Sequence, residues 1–269
     1  MKQRIITGSL LVIVLGLLIY FGEGPLEFLF SGLCVLLATI ASWEFSRMLY
    51  KDKPFSPFNY LAVLFTFSFT LINVIWFKQT VLYYQIFFMF IISMFLIYAL
   101  IYIFYDKFTL SDFSGQILTV FYTSLGFIAF AYLRILSIHL IIYLFLVAML
   151  TDVFAYLIGI KFGKHRLAIK ISPKKSVEGA IAGLLIGGTL AALYAYSVNF
   201  MNYNLVYLLL ISFSLSIISQ IGDLVASKFK READIKDYSQ IFPGHGGVLD
   251  RFDSSMFAAI FLMILVMVW

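Results

Sequence analysis

The sequence predicts an all-α, polytopic integral membrane protein with about nine transmembrane helices, its amino terminus cytoplasmic and its carboxyl terminus outside. Three observations predict this. Of 269 residues, 62% are hydrophobic and 12% charged, with a mean hydropathy of +1.00; a soluble domain would carry about twice that charge fraction. Apolar runs of about 20 residues, enough to cross a ~30 Å hydrocarbon core as helices, recur along the chain. The basic residues fall almost entirely on one side of those runs. A soluble globule is excluded.

The first run, Ile5–Phe21, follows Met1-Lys2-Gln3-Arg4. It begins like a signal peptide, but Ile19-Tyr20-Phe21-Gly22 is bulky where cleavage needs small residues, so a transmembrane helix is expected. Leu26–Met48 is the second span and holds Glu44 and the one cysteine, Cys34. A single thiol makes neither an internal disulfide nor a multi-cysteine metal site, so Cys34 is expected to pack. Asn59–Phe77, Val81–Tyr105 and Gln116–Leu133 come next, then Leu140–Phe162, which carries Asp152. Val177–Val198 opens with Glu178 and sets Gly179, Gly183 and Gly187 at four-residue steps, which lets helices approach closely. Leu205–Phe229 and Leu249–Trp269 complete the nine. The connections are short, and neither an internal repeat nor a low-complexity linker is present.

With the amino terminus inside, every one of the 19 Lys and Arg residues except Lys78 and Arg134 lies on an inner segment. That asymmetry sets the orientation, and an odd number of spans puts the carboxyl terminus outside. Most of the charge sits in the loops between spans six and seven and between spans eight and nine. Contact with anionic headgroups explains its sign. It does not explain the acidic, glycine and histidine residues set among the bases.

A carboxylate at mid-membrane costs ~2.5–3.5 kcal/mol on insertion scales and usually faces a cavity or a partner. Glu44, Asp152, Glu178 and Asp223 stand in or at the ends of spans, and Asp250 and Asp253 open the last one. In span eight, Ser212, Ser216, Ser219, Gln220, Asp223, Ser227, Lys230 and Arg231 recur at steps of three or four, forming one polar stripe. Helix-to-helix hydrogen bonds account for Ser212 and Ser216; a polar cavity accounts better for Asp223, Lys230 and Arg231.

Before span nine comes Pro243-Gly244-His245-Gly246-Gly247. The glycines Gly244, Gly246 and Gly247 let backbone wrap closely around a ligand, and the helix start beyond suits a phosphate. Asp250, Asp253 and Ser254 then share one face. Two carboxylates beside a phosphate call for a divalent cation, and oxygen ligands suit Mg²⁺, with Asp223 completing the set. N-capping would explain one of these aspartates. His245 is either a surface residue or a phosphate ligand; with no cysteine or second histidine nearby in sequence, zinc is not suggested. In the other loop, Ser172-Pro173-Lys174-Lys175-Ser176-Val177-Glu178-Gly179, Ser176 is placed to cap the next helix and Glu178 to suit its dipole. Lys174 and Lys175 are placed for nucleotide phosphates or lipid headgroups. Asp152, with Tyr156 one turn on, either supports the site or bonds a neighbouring helix.

The run Ser227-Lys228-Phe229-Lys230-Arg231, then Lys236-Asp237, then Pro243 to Gly247, then Asp250-Arg251-Phe252-Asp253 resembles the signature of the phosphatidate cytidylyltransferases. Asp152 to Gly163 resembles the family's Asp-x-x-Ala-Tyr-x-x-Gly stretch, as Asp152-Val153-Phe154-Ala155-Tyr156-Leu157-Ile158-Gly159. Ser172 to Gly179 resembles its Ser-Pro-Lys-Lys-Thr-x-Glu-Gly segment, with Ser176 in place of threonine. The first half is similar in hydropathy alone, apart from Trp43-Glu44. The resemblance implies transfer of CMP from CTP to phosphatidate, giving CDP-diacylglycerol and pyrophosphate. It also implies Mg²⁺, with a monovalent cation such as K⁺ beside it, and a homodimer in a bacterial inner membrane with its site on the cytoplasmic side. No nucleic-acid partner is expected. Residues 1–135 are then embedding helices with dimer contacts, and residues 136–269 the catalytic helices and loops of one integrated membrane domain.

On that reading Asp223, Asp250 and Asp253 hold the metal, and with Lys230, Arg231 and His245 form the catalytic group. Ser172, Lys174, Lys175, Ser176, Glu178, Ser227, Lys228, Lys236, Asp237, Gly244, Gly246, Gly247 and Arg251 bind the phosphates of both substrates. Two other expectations stand beside it. A CTP-dependent polyprenol kinase would give lipid phosphate and CDP. An ion-coupled transporter should show paired interrupted helices in two halves, which the sequence lacks.

Overall fold

The protein, a computed structural model, is described at residues 2–22, 26–51, 54–77, 80–244 and 246–268, without the side chains of residues 2–8, 10–12 and 80–82. It is almost entirely helical. Among the described residues, eight helices are long and apolar enough to cross a membrane, from Glu27–Leu49 to Leu249–Val268, and a further 20-residue helix, Lys2–Phe21, precedes them. Large apolar side chains stay exposed along the fourth helix, among them Phe88, Ile92, Phe95, Ile103 and Phe104. In water such a surface would drive association; in a bilayer it meets acyl chains. The chain is an integral membrane protein.

The chain forms two compact units, one of residues 1–132 and 237–249, the other of residues 133–236 and 250–269. The segment 237–249, placed from sequence with the carboxyl-terminal half, belongs to the first unit.

The first unit contains α1 (Lys2–Phe21), α2 (Glu27–Leu49), α3 (Pro57–Trp76), α4 (Thr80–Phe104) and all but the end of α5 (Leu110–Leu136). Helices α2 and α3 pack together, as do α3 and α4. Phe65, Met94, Tyr98, Phe108 and Val120 form a buried cluster, with the Phe65 and Tyr98 rings edge to face at 5.4 Å. Some of the polar side chains inside pair with one another: Thr66 donates to Ser42 at 3.1 Å, and the Gln116 amide donates to Asn59 Oδ1 at 3.0 Å and Tyr50 Oη at 3.1 Å. Helix α5 starts six residues before the predicted Gln116. Thr109 and Asp112 form a reciprocal cap there, Asp112 Oδ2 accepting from Thr109 N at 2.9 Å and Thr109 Oγ1 from Asp112 N at 3.2 Å.

The second unit contains α6 (Ile138–Phe162), a two-stranded antiparallel hairpin of β1 (Arg166–Ala168) and β2 (Ser172–Ser176), α7 (Val177–Ala182), a π-helical turn at Gly183–Gly187, α8 (Gly188–Val198), α9 (Leu205–Glu232) and most of α10 (Leu249–Val268). The hairpin stands where the sequence suggested only a loop. Ser176 caps α7 as its position predicts, accepting from Gly179 N at 3.1 Å. The glycine row lies against the backbone of α6. A Cβ on Gly183 would stand 2.5 Å from the Thr151 carbonyl oxygen, and one on Gly187 2.7 Å from its nitrogen. Gly222 does the same between α9 and α10, where a Cβ would meet the Asp253 carbonyl oxygen at 2.8 Å. These close approaches set the π turn against α6 and α9 against α10, and α6 also packs on α9, which brings together the acidic residues these helices carry.

Candidate functional site

The polar stripe of α9 divides into two parts. Its first half is structural: Ser212 bonds Tyr143 Oη at 2.6 Å, Thr151 donates to Ser216 at 2.8 Å, and the Gln220 amide donates to the Ala180 carbonyl at 3.3 Å. The helix-to-helix bonds expected of Ser212 and Ser216 are thus present, and both are fully buried, as is Ser219.

The second half, from Asp223 onward, joins a cluster of charged side chains that is the candidate site. Lys175, delivered by strand β2, donates to Asp223 Oδ2, and Ser227, one turn on, donates to Asp223 Oδ1 at 3.2 Å. Lys230 Nζ donates to Asp250 Oδ1 at 2.8 Å and lies 3.9 Å from Asp253 Oδ2. This pair is deeply enclosed, with side chains 11% exposed for Lys230 and 3% for Asp250. Asp250 and Asp253 face the same ammonium group because they are three apart on the first turn of α10. Ser254, next on that face, donates through its hydroxyl to Asp152 Oδ2 at 3.4 Å. Asp223 is within electrostatic range of both Asp152 and Asp253. Three helices thus bring four carboxylates to one place, and two lysines pair with two of them, Lys175 with Asp223 and Lys230 with Asp250.

The other expected residues are placed as follows. Glu178, in the first turn of α7, holds the link between α6 and β1, accepting from Lys164 N at 3.1 Å, His165 N at 3.2 Å and the His165 ring at 2.6 Å. Arg231 braces the loops, donating to the carbonyls of Ile171 at 3.3 Å and Ile235 at 3.1 Å. Lys228 pairs with Glu232 at 3.6 Å on the exposed face of α9. Lys174, Lys236 and Arg251 are exposed, Ser172 and Asp237 half-buried. Tyr156 is 68% exposed and does not join Asp152. His245 lies outside the described residues.

The glycine turn belongs to the first unit. Phe242 and Gly246 close it with a pair of backbone hydrogen bonds at 2.9 and 3.1 Å. Gly244 and Gly246 have φ of 78° and 85°, a region that favours glycine. The start of α10, read from sequence as a phosphate cradle, already holds an anion of the chain itself. Val248 N and Leu249 N each donate to the Glu44 carboxylate at 2.9 Å. Sequence marked Glu44 as an acid out of place in lipid, but its partners lie too far along the chain to be inferred.

Metal chemistry fits the donor set in kind. Asp152, Asp223 and Asp253 with the hydroxyls of Ser227 and Ser254 are all oxygen donors, which hard divalent cations prefer. Among the described residues no group of three or more His, Cys, Asp or Glu is already spaced as a metal site. Asp223 is engaged by Lys175 and Asp250 by Lys230.

Charged side chains carried by α6, α9, α10 and strand β2 thus meet within a helical bundle of the class of integral membrane proteins. Residues 2–269 match the model of the cytidylyltransferase family, and the chain belongs to that family. It is 44% identical over 160 residues to the phosphatidate cytidylyltransferase of Staphylococcus haemolyticus (strain JCSC1435), a stretch covering 60% of this chain and 61% of that protein. The protein of that name from Staphylococcus aureus (strain COL) is 44% identical over the same coverage, and that from Staphylococcus epidermidis (strain ATCC 35984) 40%. The chain thus spans 61% of the length of the curated relatives it matches.

Proposed function

We propose that this protein transfers the cytidylyl group of CTP to phosphatidate, forming CDP-diacylglycerol and releasing pyrophosphate, at the cytoplasmic face of a bacterial inner membrane. The observation that carries the reading is the gathering of Asp152 of α6, Asp223 and Lys230 of α9, and Asp250 and Asp253 of α10 with Lys175 of β2. The family membership and the names of the relatives supply the substrates. The inner-face assignment rests on the distribution of Lys and Arg. A homodimer is part of the same reading.

A phosphate oxygen of phosphatidate attacks the α-phosphorus of CTP; the new P–O bond forms as the bond to pyrophosphate breaks. A phosphomonoester is already ionised at neutral pH, so the chain's task is positioning and charge stabilisation. Asp223, Asp250 and Asp253 would hold Mg²⁺, with Asp152 and the hydroxyls of Ser227 and Ser254 around them and a monovalent cation alongside. Bound there, the ion polarises the α-phosphate and offsets charge on the leaving group. Lys175 and Lys230, which pair with Asp223 and Asp250, would then turn to the phosphates. Lys174, Lys228, Lys236 and Arg251, on exposed surfaces, would attract both anions from solution and headgroup layer.

The test is turnover of purified protein in lipid with CTP, phosphatidate and Mg²⁺. The expected result is equimolar pyrophosphate and CDP-diacylglycerol. Lipid phosphate with CDP would point to a kinase and overturn the proposal, as would no turnover.

A further inference from the structure

We infer that Glu44 is a positioning residue for the reaction proposed above, on which reading this rests: its carboxylate sets where α10 begins, and so where Asp250, the next residue in the chain, stands. Glu44 sits in α2 and is fully buried. Its Oε1 accepts from Val248 N at 2.9 Å and from Ser239 Oγ at 2.6 Å, and its Oε2 accepts from Leu249 N at 2.9 Å. Both oxygens are therefore engaged, and the charge meets the positive end of α10.

An ordinary N-cap is a local residue that fixes only the conformation of the helix start. This one comes from a residue 204 positions earlier, on another helix of the same unit. It fixes location as well as conformation. The turn beside it is shaped to admit the carboxylate. A Cβ on Gly247 would fall on the Glu44 carboxylate and 2.7 Å from Ser239 Oγ. Burying a carboxylate is costly unless donors satisfy it. An apolar residue in α2 would fill the same space without that cost, but it would leave two buried amides unpaired. What the acid adds is a two-point grip on the residues immediately before Asp250.

The experiment pairs kinetics with amide exchange. Glu44→Gln keeps the shape but offers one acceptor oxygen and turns an NH₂ toward an amide N–H. A displacement of about 1 Å at a reacting centre costs on the order of 10²-fold in rate, so kcat should fall about 10- to 100-fold, with KM for CTP within about threefold. Hydrogen–deuterium exchange of the substrate-free protein in lipid should quicken at Val248 and Leu249 and stay unchanged along α2 and α9. Ser239→Ala keeps both amide contacts and should lose no more than about tenfold. Gly247→Ala presses on the same carboxylate and should repeat the Glu44→Gln pattern, so it serves if Glu44→Gln does not fold. Wild-type kcat in Glu44→Gln and Gly247→Ala, unchanged exchange at 248 and 249, or lost activity matched by faster exchange throughout the protein overturns the inference. An inactive wild type whose 248 and 249 amides still respond to Glu44→Gln removes the proposed reaction, and with it this role, while leaving the contact intact.

Discussion

Replacing Lys230 with methionine removes one ammonium group and keeps most of the side-chain stem. In the folded protein that group lies 2.8 Å from Asp250 and 3.9 Å from Asp253, with the Lys230 and Asp250 side chains 11% and 3% exposed. Solvent screens such a pair little, so the surface value of about 0–1 kcal/mol does not apply. Taking one partner from a buried pair costs ~3–5 kcal/mol, mostly because a buried charge loses its compensation. At about 2–4 °C per kcal/mol for a chain of this size, Lys230→Met should melt roughly 6–20 °C below wild type. The same logic makes a sharper demand of the double variant. In Lys230→Met with Asp250→Asn, the nearer of the two carboxylates left uncompensated is neutral, and at least half of the loss should return. Thermal unfolding of the three proteins in one detergent, at fixed pH and without added divalent ions, reads this directly. If Lys230→Met melts within 2 °C of wild type, or the double variant melts no higher than the single, the pair is not the buried electrostatic unit described here.

Other expectations concern turnover and architecture. Asp223→Asn should lower CDP-lipid formation by at least about 10²-fold, the scale of losing a transition-state charge contact, while its melting stays near wild type; near-normal turnover would remove Asp223 from the site. Chelating divalent ions should stop the reaction and Mg²⁺ should restore it, measured as pyrophosphate released. Gly183→Leu drives a side chain at the Thr151 carbonyl oxygen, 2.5 Å from its Cβ position, and should cost ~1–3 kcal/mol as overpacking does, seen as a lower melting temperature. Glu178→Ala releases the strap on Lys164 and His165, so trypsin should cut after Lys164 and Arg166 faster than in wild type, with little change in melting.

The spans were legible in the sequence because hydrophobic run length is set by bilayer thickness, not by tertiary detail. Helix starts were less so. Thr109 and Asp112 carry α5 six residues earlier than hydropathy predicts, because a reciprocal cap can hold polar residues in helix where apolar content is low. The acids in α9 and α10 stood out as polar groups among apolar neighbours, and their spacing put Asp250 and Asp253 on one face. Their partners were another matter. That Lys175 reaches Asp223 depends on the hairpin of β1 and β2, whose three- and five-residue strands leave no periodic pattern to read. Arg231 and Lys230 are adjacent in a basic run, yet one braces loop carbonyls and the other enters the acidic cluster. Helical phase separates them, and composition alone does not. Glu44 was visible as an anomaly only, since its amide partners lie 204 and 205 positions away.

The interleaving of the two units has a consequence for how the protein is made. The first unit is not finished when its five helices have left the ribosome; it still lacks residues 237–249, which arrive after most of the second unit has been synthesised. At about 5–20 residues per second, Glu44 waits on the order of 10–40 s, already threaded into the bilayer, for the amides that will satisfy it. During that interval a carboxylate in α2 must find water, a headgroup or a chaperone. A gene cut near residue 135 and expressed as two pieces would leave that need unmet in the first piece for good, so such halves should accumulate only when made together.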